Sequence, residues 1–186
     1  PATVAAAHVQ YGELLARTVV EMPPAANDRS PDRPLRVAFV SADFREHSVA
    51  YFIEPWLAHH DRAKVEVYVY STSRVEDDMT RRLKAHVKVW RNEEASSDLA
   101  LAQRVRQDRV DMLMELSGHT VGARLGVLAH RERDVVADAH VVEQRAVLEQ
   151  HPELAAQLEQ LDAVGGLVLV EVGDVDAGDV DVAGVG

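Results

Sequence analysis

The sequence predicts an α/β fold, a parallel sheet with helices on both faces, followed by a low-complexity acidic tail. Three observations predict it. Apolar, β-branched runs alternate with helix-period segments between Leu35 and Arg131. The connections between them are short, which implies right-handed crossovers and parallel strands. After Thr120 the amino-acid alphabet contracts, and the charge balance shifts with it.

Residues 35–41 (LRVAFVS) follow the breakers Pro31 and Pro34 and read as a buried strand. Residues 47–60 (HSVAYFIEPWLAHH) read as a helix, with Pro55 as an expected kink or boundary. Within it Phe52, Trp56 and Leu57 lie at helical spacing and are expected in the core. Residues 65–71 (VEVYVYS) are the second strand. Residues 77–85 (DDMTRRLKA) form a helix with acids in its first turn and bases later, as the helix dipole favours. Its Arg81, Arg82 and Lys84 read as a solvated face. Residues 86–90 make a short third strand. Residues 97–108 (SDLALAQRVRQD) form a helix capped by Ser97 or Asp98. Residues 110–116 (VDMLMEL) are the fourth strand, and GARLGVLAHR begins another helix. The pattern is that of a Rossmann-like half domain. Upstream, residues 2–21 are an amphipathic helical stretch ended by Met22-Pro23-Pro24, and residues 25–34 read as a linker.

The chain has 186 residues, within the size of one domain, with 20 basic and 31 acidic side chains and no cysteine. Disulfide scaffolds and thiolate metal sites are excluded. No apolar stretch approaches the roughly 20 residues of a membrane span, and the N-terminus lacks the pattern of a secretion signal. The expected location is therefore the cytoplasm. The opening on Pro1 without an initiator Met suggests an N-terminus inside a longer polypeptide. From Arg131 onward there are 13 acidic and 3 basic residues, so the tail carries −10 and the preceding body −1. The acidic balance thus describes the tail and not the body.

None of Ser, Thr, Lys, Asn, Ile, Met, Phe, Tyr or Trp occurs in the last 66 residues, whereas 32 of the first 120 are of these types. The ten types that remain are those whose codons can begin with G or C. In a GC-rich gene, wobble positions read as first positions produce this alphabet. Residues 131–186 are accordingly expected to be an out-of-frame or chimeric reading, with a genuine low-complexity acidic tail as the alternative. In either case residues 141–164 have helical propensity, interrupted near Pro152.

In an open α/β sheet, ligands lie beyond the carboxyl ends of the strands. Two polar loops fall there, residues 41–48 (SADFREHS) and residues 117–120 (SGHT). Neither matches a dinucleotide or Walker phosphate fingerprint. His47, where a strand gives way to a helix, reads either as a group facing a bound sugar or phosphate or as a helix-start residue bonded to Asp43 or Glu46. His119 follows Gly118 in a tight turn and reads either as functional or as a turn histidine. His59 and His60 are adjacent and so point about 100° apart on a helix, which makes them a solvated helix end and not a chelating pair.

The run RPLRVAFVSADFREHSVAYFIEPWLAHHD, then VEVYVYS, then RVRQDRVDMLMELSGHTVGARLGVLAHR resembles the first half of the catalytic region of the O-GlcNAc transferase and SPINDLY-like proteins, glycosyltransferase family 41. The resemblance spans about residues 34–131. It implies one lobe of a two-lobed GT-B enzyme that moves GlcNAc from UDP-GlcNAc to Ser or Thr hydroxyls with inversion and without a required metal or other cofactor. It divides the chain into a helical connector and linker (1–33), a Rossmann-like N-terminal catalytic lobe (34–130) and the tail (131–186). It implies His47 as the active-site histidine, a base or a donor-contacting group, with Asp43, His119 and Thr120 binding substrate. The implied partners are a nucleotide-sugar donor and a protein acceptor, with no nucleic acid and no membrane. The family admits GlcNAc and fucose donors. Upstream tetratricopeptide repeats and a downstream second lobe are the family parts expected outside this chain. Where the family continues with a RPAPVQ-like strand, this sequence reads RERDVVADAH. The isolated chain is therefore expected to be inactive, or, as the alternative function, to be a non-catalytic protein-binding module.

Overall fold

The computed structural model describes residues 2–20, 22–23, 27–28, 30, 32–118, 120–131 and 169–172. The sheet is built on β1 (Leu35–Ser41), which pairs in parallel with β2 (Val65–Ser71) along its whole length, Leu35 opposite Val65 and Ser41 opposite Ser71. β3 (Val89–Asn92) extends the sheet beyond β2, and β4 (Met112–Glu115) lies on the other side of β1, both parallel. β5 (Leu169–Val172) closes the far edge antiparallel to β4, and the order is β3-β2-β1-β4-β5.

The continuous apolar runs of β1 and β2 follow from burial on both faces. Val37, Phe39, Val67 and Val69 face one core with Ile53 and Leu57 of α2 (Ser48–His59) and Met79 and Leu83 of α3 (Asp78–Lys84). Ala38, Val40, Tyr68 and Tyr70 face the other, with Leu101 and Val105 of α4 (Asp98–Gln107) and Leu128 of α5 (Leu125–Arg131). Phe39 meets Trp56 edge-on at 5.1 Å between ring centroids, the geometry favoured by aromatic quadrupoles. α1 (Ala2–Thr18) joins the second face through Leu15, and Val19 directly after the helix packs there too. Val20 and Met22, just beyond it, are tied to α5, for the His130 ring bonds the Val20 carbonyl at 2.8 Å and the Met22 N–H donates to the His130 carbonyl at 2.7 Å.

The expected α/β architecture is present, with four local differences. β3 begins at Val89 and not at residue 86, because the chain needs residues 85–88 to return from the end of α3 to the sheet; Lys88 N–H already bonds the Val67 carbonyl at 2.9 Å. α2 runs through Pro55 without a boundary. Tyr51 and Pro55 both lie on the solvent side, so the carbonyl that loses its helical partner there can be hydrated. Phe52 is half exposed, at 50%, and so is not in the core as its spacing suggested, whereas Trp56 and Leu57 are buried. His60 is buried and stacked on Trp56 at 5.5 Å, not solvated; burial lowers its pKa below the ordinary histidine value. The helical propensity of residues 141–164 lies outside the described residues. Within the tail, β5 adds a short antiparallel edge to an otherwise parallel sheet.

The amino-end side of the sheet is closed by one carboxylate. Asp111, 3% exposed, receives both guanidinium nitrogens of Arg33 at 2.6 and 2.7 Å, Asn27 Nδ2 at 2.8 Å and the Arg36 N–H at 2.9 Å. A bidentate, charge-assisted set of this kind fixes the entry of the linker into β1. Asp111→Ala strands Arg33 and the Arg36 amide, and should cost about 3 kcal/mol of stability. Urea denaturation of the two proteins measures this, and a loss below about 1 kcal/mol would contradict the assigned role.

Candidate active site

β1 lies between β2 and β4, so the segment leaving β1 turns toward α2 on one face while the segment leaving β4 turns toward α5 on the other. This is the switch point of a doubly wound sheet, where the carboxyl ends leave a crevice. The two polar loops meet there. Ser41 Oγ and Ser117 Oγ are 3.1 Å apart, both buried. Gly122 has φ +92, and a Cβ there would stand 3.0 Å from Ala42 Cβ, so the second loop packs directly on the first.

The first loop is braced from below. Phe44 is fully buried and meets Trp90 edge-on at 5.7 Å. Thr80 Oγ1 donates to the Phe44 carbonyl at 2.7 Å. Asp77 caps α3 through the Thr80 amide and also accepts the Glu46 amide at 2.7 Å, which holds its carboxyl below the usual range. Above this floor, Asp43 is 9% exposed, with Oδ1 accepting from Arg45 at 3.1 Å and Oδ2 at 3.8 Å from His47 Nδ1.

His47 is the N-cap of α2, and its Nδ1 accepts the Val49 N–H at 3.3 Å. A neutral imidazole whose Nδ1 accepts carries its proton on Nε2, so the ring offers a donor to its surroundings. Its side chain is 37% exposed and therefore reachable by a ligand.

Asp43 and His47 are thus brought together as their spacing suggested. Thr120 is exposed on the second loop, its Oγ1 donating to the Ser117 carbonyl at 2.7 Å. His119 lies outside the described residues. Among the described residues no three His, Asp or Glu side chains converge as metal ligands would.

The residues that sequence reasoning missed are Ser41, Ser117 and above all Glu115. Glu115 ends β4, is 1% exposed, and through Oε2 accepts the amides of Ser117 at 3.0 Å and Gly118 at 2.7 Å. Burial pushes its carboxyl up to about 7, against the opposing pull of the Gly118 and Arg124 amides. An acid inside the otherwise apolar strand VDMLMEL was the signal available.

A doubly wound sheet with two interlocked polar loops at its switch point is a Rossmann-like α/β lobe. The comparisons narrow the class. The profile of glycosyl transferase family 41 matches residues 5–137, and the chain belongs to that family. It is 40% identical over 129 residues to a Hordeum vulgare protein named as a probable UDP-N-acetylglucosamine–peptide N-acetylglucosaminyltransferase, SPINDLY, covering 67% of this chain and 14% of that one. An Arabidopsis thaliana protein of the same name is 37% identical over 133 residues, covering 69% and 15%. A solved structure of a Thermobaculum terrenum O-GlcNAc transferase mutant superposes with a TM-score of 0.62 at 36% identity, covering 66% of this chain and 24% of that chain. The chain matches about one-seventh of the length of these plant relatives. The fold is the Rossmann-like lobe of a GT-B glycosyltransferase, as the resemblance implied. No helix among the described residues is long and apolar enough to cross a membrane.

The raised carboxyl of Glu115 sets a pH dependence whose sign is fixed. Its folded value of about 7 exceeds the reference 4.5, so the fold favours the neutral acid. The stabilisation is complete below about pH 4.5 and is lost as pH rises through about 7, a change of about 3 kcal/mol. Glu115→Gln removes this titration, so denaturation curves of the variant should lose the slope that the parent shows across that window. Parallel pH dependence of the two proteins would contradict it.

Proposed function

We propose that this chain carries the first catalytic lobe of a protein O-linked N-acetylglucosaminyltransferase, in which UDP-GlcNAc donates its sugar to a Ser or Thr hydroxyl with inversion. The supporting observation is His47, held at the switch point of a family 41 lobe with its Nδ1 occupied by a helix cap. The names of the relatives supply the donor and the peptide acceptor.

In this reading His47 acts first as a hydrogen-bond donor. Nε2–H faces the oxygen-rich donor substrate, and the Val49 amide bonded to Nδ1 holds the ring. Service as a general base at Nε2 would require the opposite tautomer and the loss of the Val49 cap. Thr120, with its hydroxyl proton given to Ser117, offers oxygen lone pairs to a substrate hydroxyl. Stabilising the departing diphosphate calls for further fixed donors and cations. Arg45, the cation beside His47, is already engaged by Asp43. The isolated 186-residue chain therefore binds donor weakly and does not turn it over.

Two measurements test this. Purified chain incubated with UDP-GlcNAc and a Ser/Thr peptide should release no UDP above the uncatalysed rate; detectable turnover overturns the inactivity. In the transferase that carries this lobe, His47→Ala should lower kcat by about 100-fold, and His47→Gln, which keeps a donor, should retain more activity than Ala. Equal loss in both variants, with disappearance of the acidic limb of the kcat/KM profile, would favour the base role instead.

A second reading concerns residues 131–186. The family match ends at residue 137, shortly after the start of the acidic segment at Arg131, and we propose that the tail is an out-of-frame or chimeric reading. Translating the nucleotide sequence across codons 120–134 and downstream in all six frames should reveal a RPAPVQ-like continuation in another frame. Confirmation of the present frame, with no second lobe nearby, would overturn it.

A further inference from the structure

The two loops at the switch point are joined by a hydrogen-bond path that starts at a group with no assigned role. Glu115 Oε2 holds the Ser117 and Gly118 amides. Ser117 Oγ meets Ser41 Oγ at 3.1 Å. Ser41 Oγ in turn accepts the Asp43 amide at 3.0 Å, and Asp43 flanks His47. Every group from Glu115 to Asp43 is at most 9% exposed. Water is therefore a poor competitor along the path, and each bond constrains the next.

We propose that Glu115 is the positioning residue of this site: it anchors the Ser117–Gly118 turn and, through Ser117 and Ser41, sets the placement of Asp43, which flanks His47. This deepens the transferase reading and rests on it for its purpose, but the path itself is a property of the fold. A carboxyl group suits the task because one oxygen can accept two amides at once. Its second oxygen, Oε1, has no hydrogen-bond partner among the described residues, so the grip is one-sided. The side chain is held by the loop it holds, with the Arg124 amide at the head of α5 as a further backbone group acting on it.

The charged groups around Glu115 are few. Arg124 contributes its backbone amide while its guanidinium turns away to Asp98 at 2.5 Å. Across β1 stand Asp43, Arg45 and His47, joined to Glu115 through the two serines. On the β5 side, Leu169 is the register partner of Glu115, and Glu171 is that of Leu113. His47, beside Asp43, is the group of this set whose replacement serves as the control.

The test is amide NMR of the full chain between about pH 5 and about pH 9. Ser117, Gly118 and Asp43 amides should shift together through one midpoint near pH 7. In Glu115→Gln all three should lose that titration while the Val40 and Leu113 amides stay in place. In His47→Gln the three should still move together. Independent midpoints at Gly118 and Asp43, persistence of the Asp43 shift in Glu115→Gln, or its loss in His47→Gln would each overturn the proposal. Should Glu115→Gln fail to fold, the parent and His47→Gln spectra decide alone. A negative transfer assay leaves these shifts unaffected, so the path and the transferase reading fail separately.

Discussion

The placement of β1 between two parallel neighbours is the constraint on which this lobe depends. Parallel strands need long crossovers, and their handedness fixes which face each helix covers. With β2 on one side and β4 on the other, the crossovers through α2 and α3 cover one face and those through α4 and α5 the other. The segments after β1 and β4 must then diverge, and the crevice between them is a consequence of winding direction before any side chain is chosen. Substitutions in Val37 or Phe39 would act on stability; those in the loops above act on what the crevice can hold.

The two ends of the sheet hold their buried carboxyl groups differently. At the amino end, Asp111 is saturated by Arg33, Asn27 and a backbone amide, leaving nothing for a ligand. Further across the same side of the sheet, Asp108 takes Arg91 through two bonds and the Tyr70 hydroxyl through a third, and the pairing holds its carboxyl below the usual range despite the opposing cost of burial. At the carboxyl end, satisfaction is partial. Glu115 Oε1 and Thr72 Oγ1 are buried without partners among the described residues, and His47 is open to solvent. Buried polar groups that stay incompletely paired cost stability, and they are tolerated where a site needs them.

Much of the lobe was legible in the sequence because its strongest signals are local. β1 and β2 are apolar runs that each end in a serine, β1 preceded by Pro31 and Pro34, and both fall where the runs place them. The cap Ser97 was legible for the same reason, its side chain accepting the Ala100 amide three residues on. Phe52 misled because helical periodicity says which residues share a face and not how far a neighbouring layer extends over it. His60 misled because Trp56, one turn earlier, supplies a ring for it to stack on. The site was half legible. Asp43 and His47 are four residues apart and could be paired by eye, whereas Ser41 and Ser117 are 76 residues apart and meet only because β1 and β4 are neighbours. Glu115 looked like a strand residue because the amides it holds belong to a loop whose path no local rule sets.

His47 shows how closely the fold and the chemistry are joined. A helix beginning directly after a strand leaves orphan amides, and one of them, Val49 N–H, must find an acceptor. Ser, Asp or Asn would serve as well or better for stability alone. Imidazole accepts that amide with one nitrogen and is left with a second, whose protonation is dictated by the first. The cap therefore selects the tautomer, and the tautomer selects what the ring can do to a ligand. With Nδ1 held by the Val49 amide and the loop pair beneath it, the residue that starts α2 has its free nitrogen, Nε2, oriented by the fold itself. Such preorganisation is effective because the cost of holding the ring is met during folding and not during the reaction.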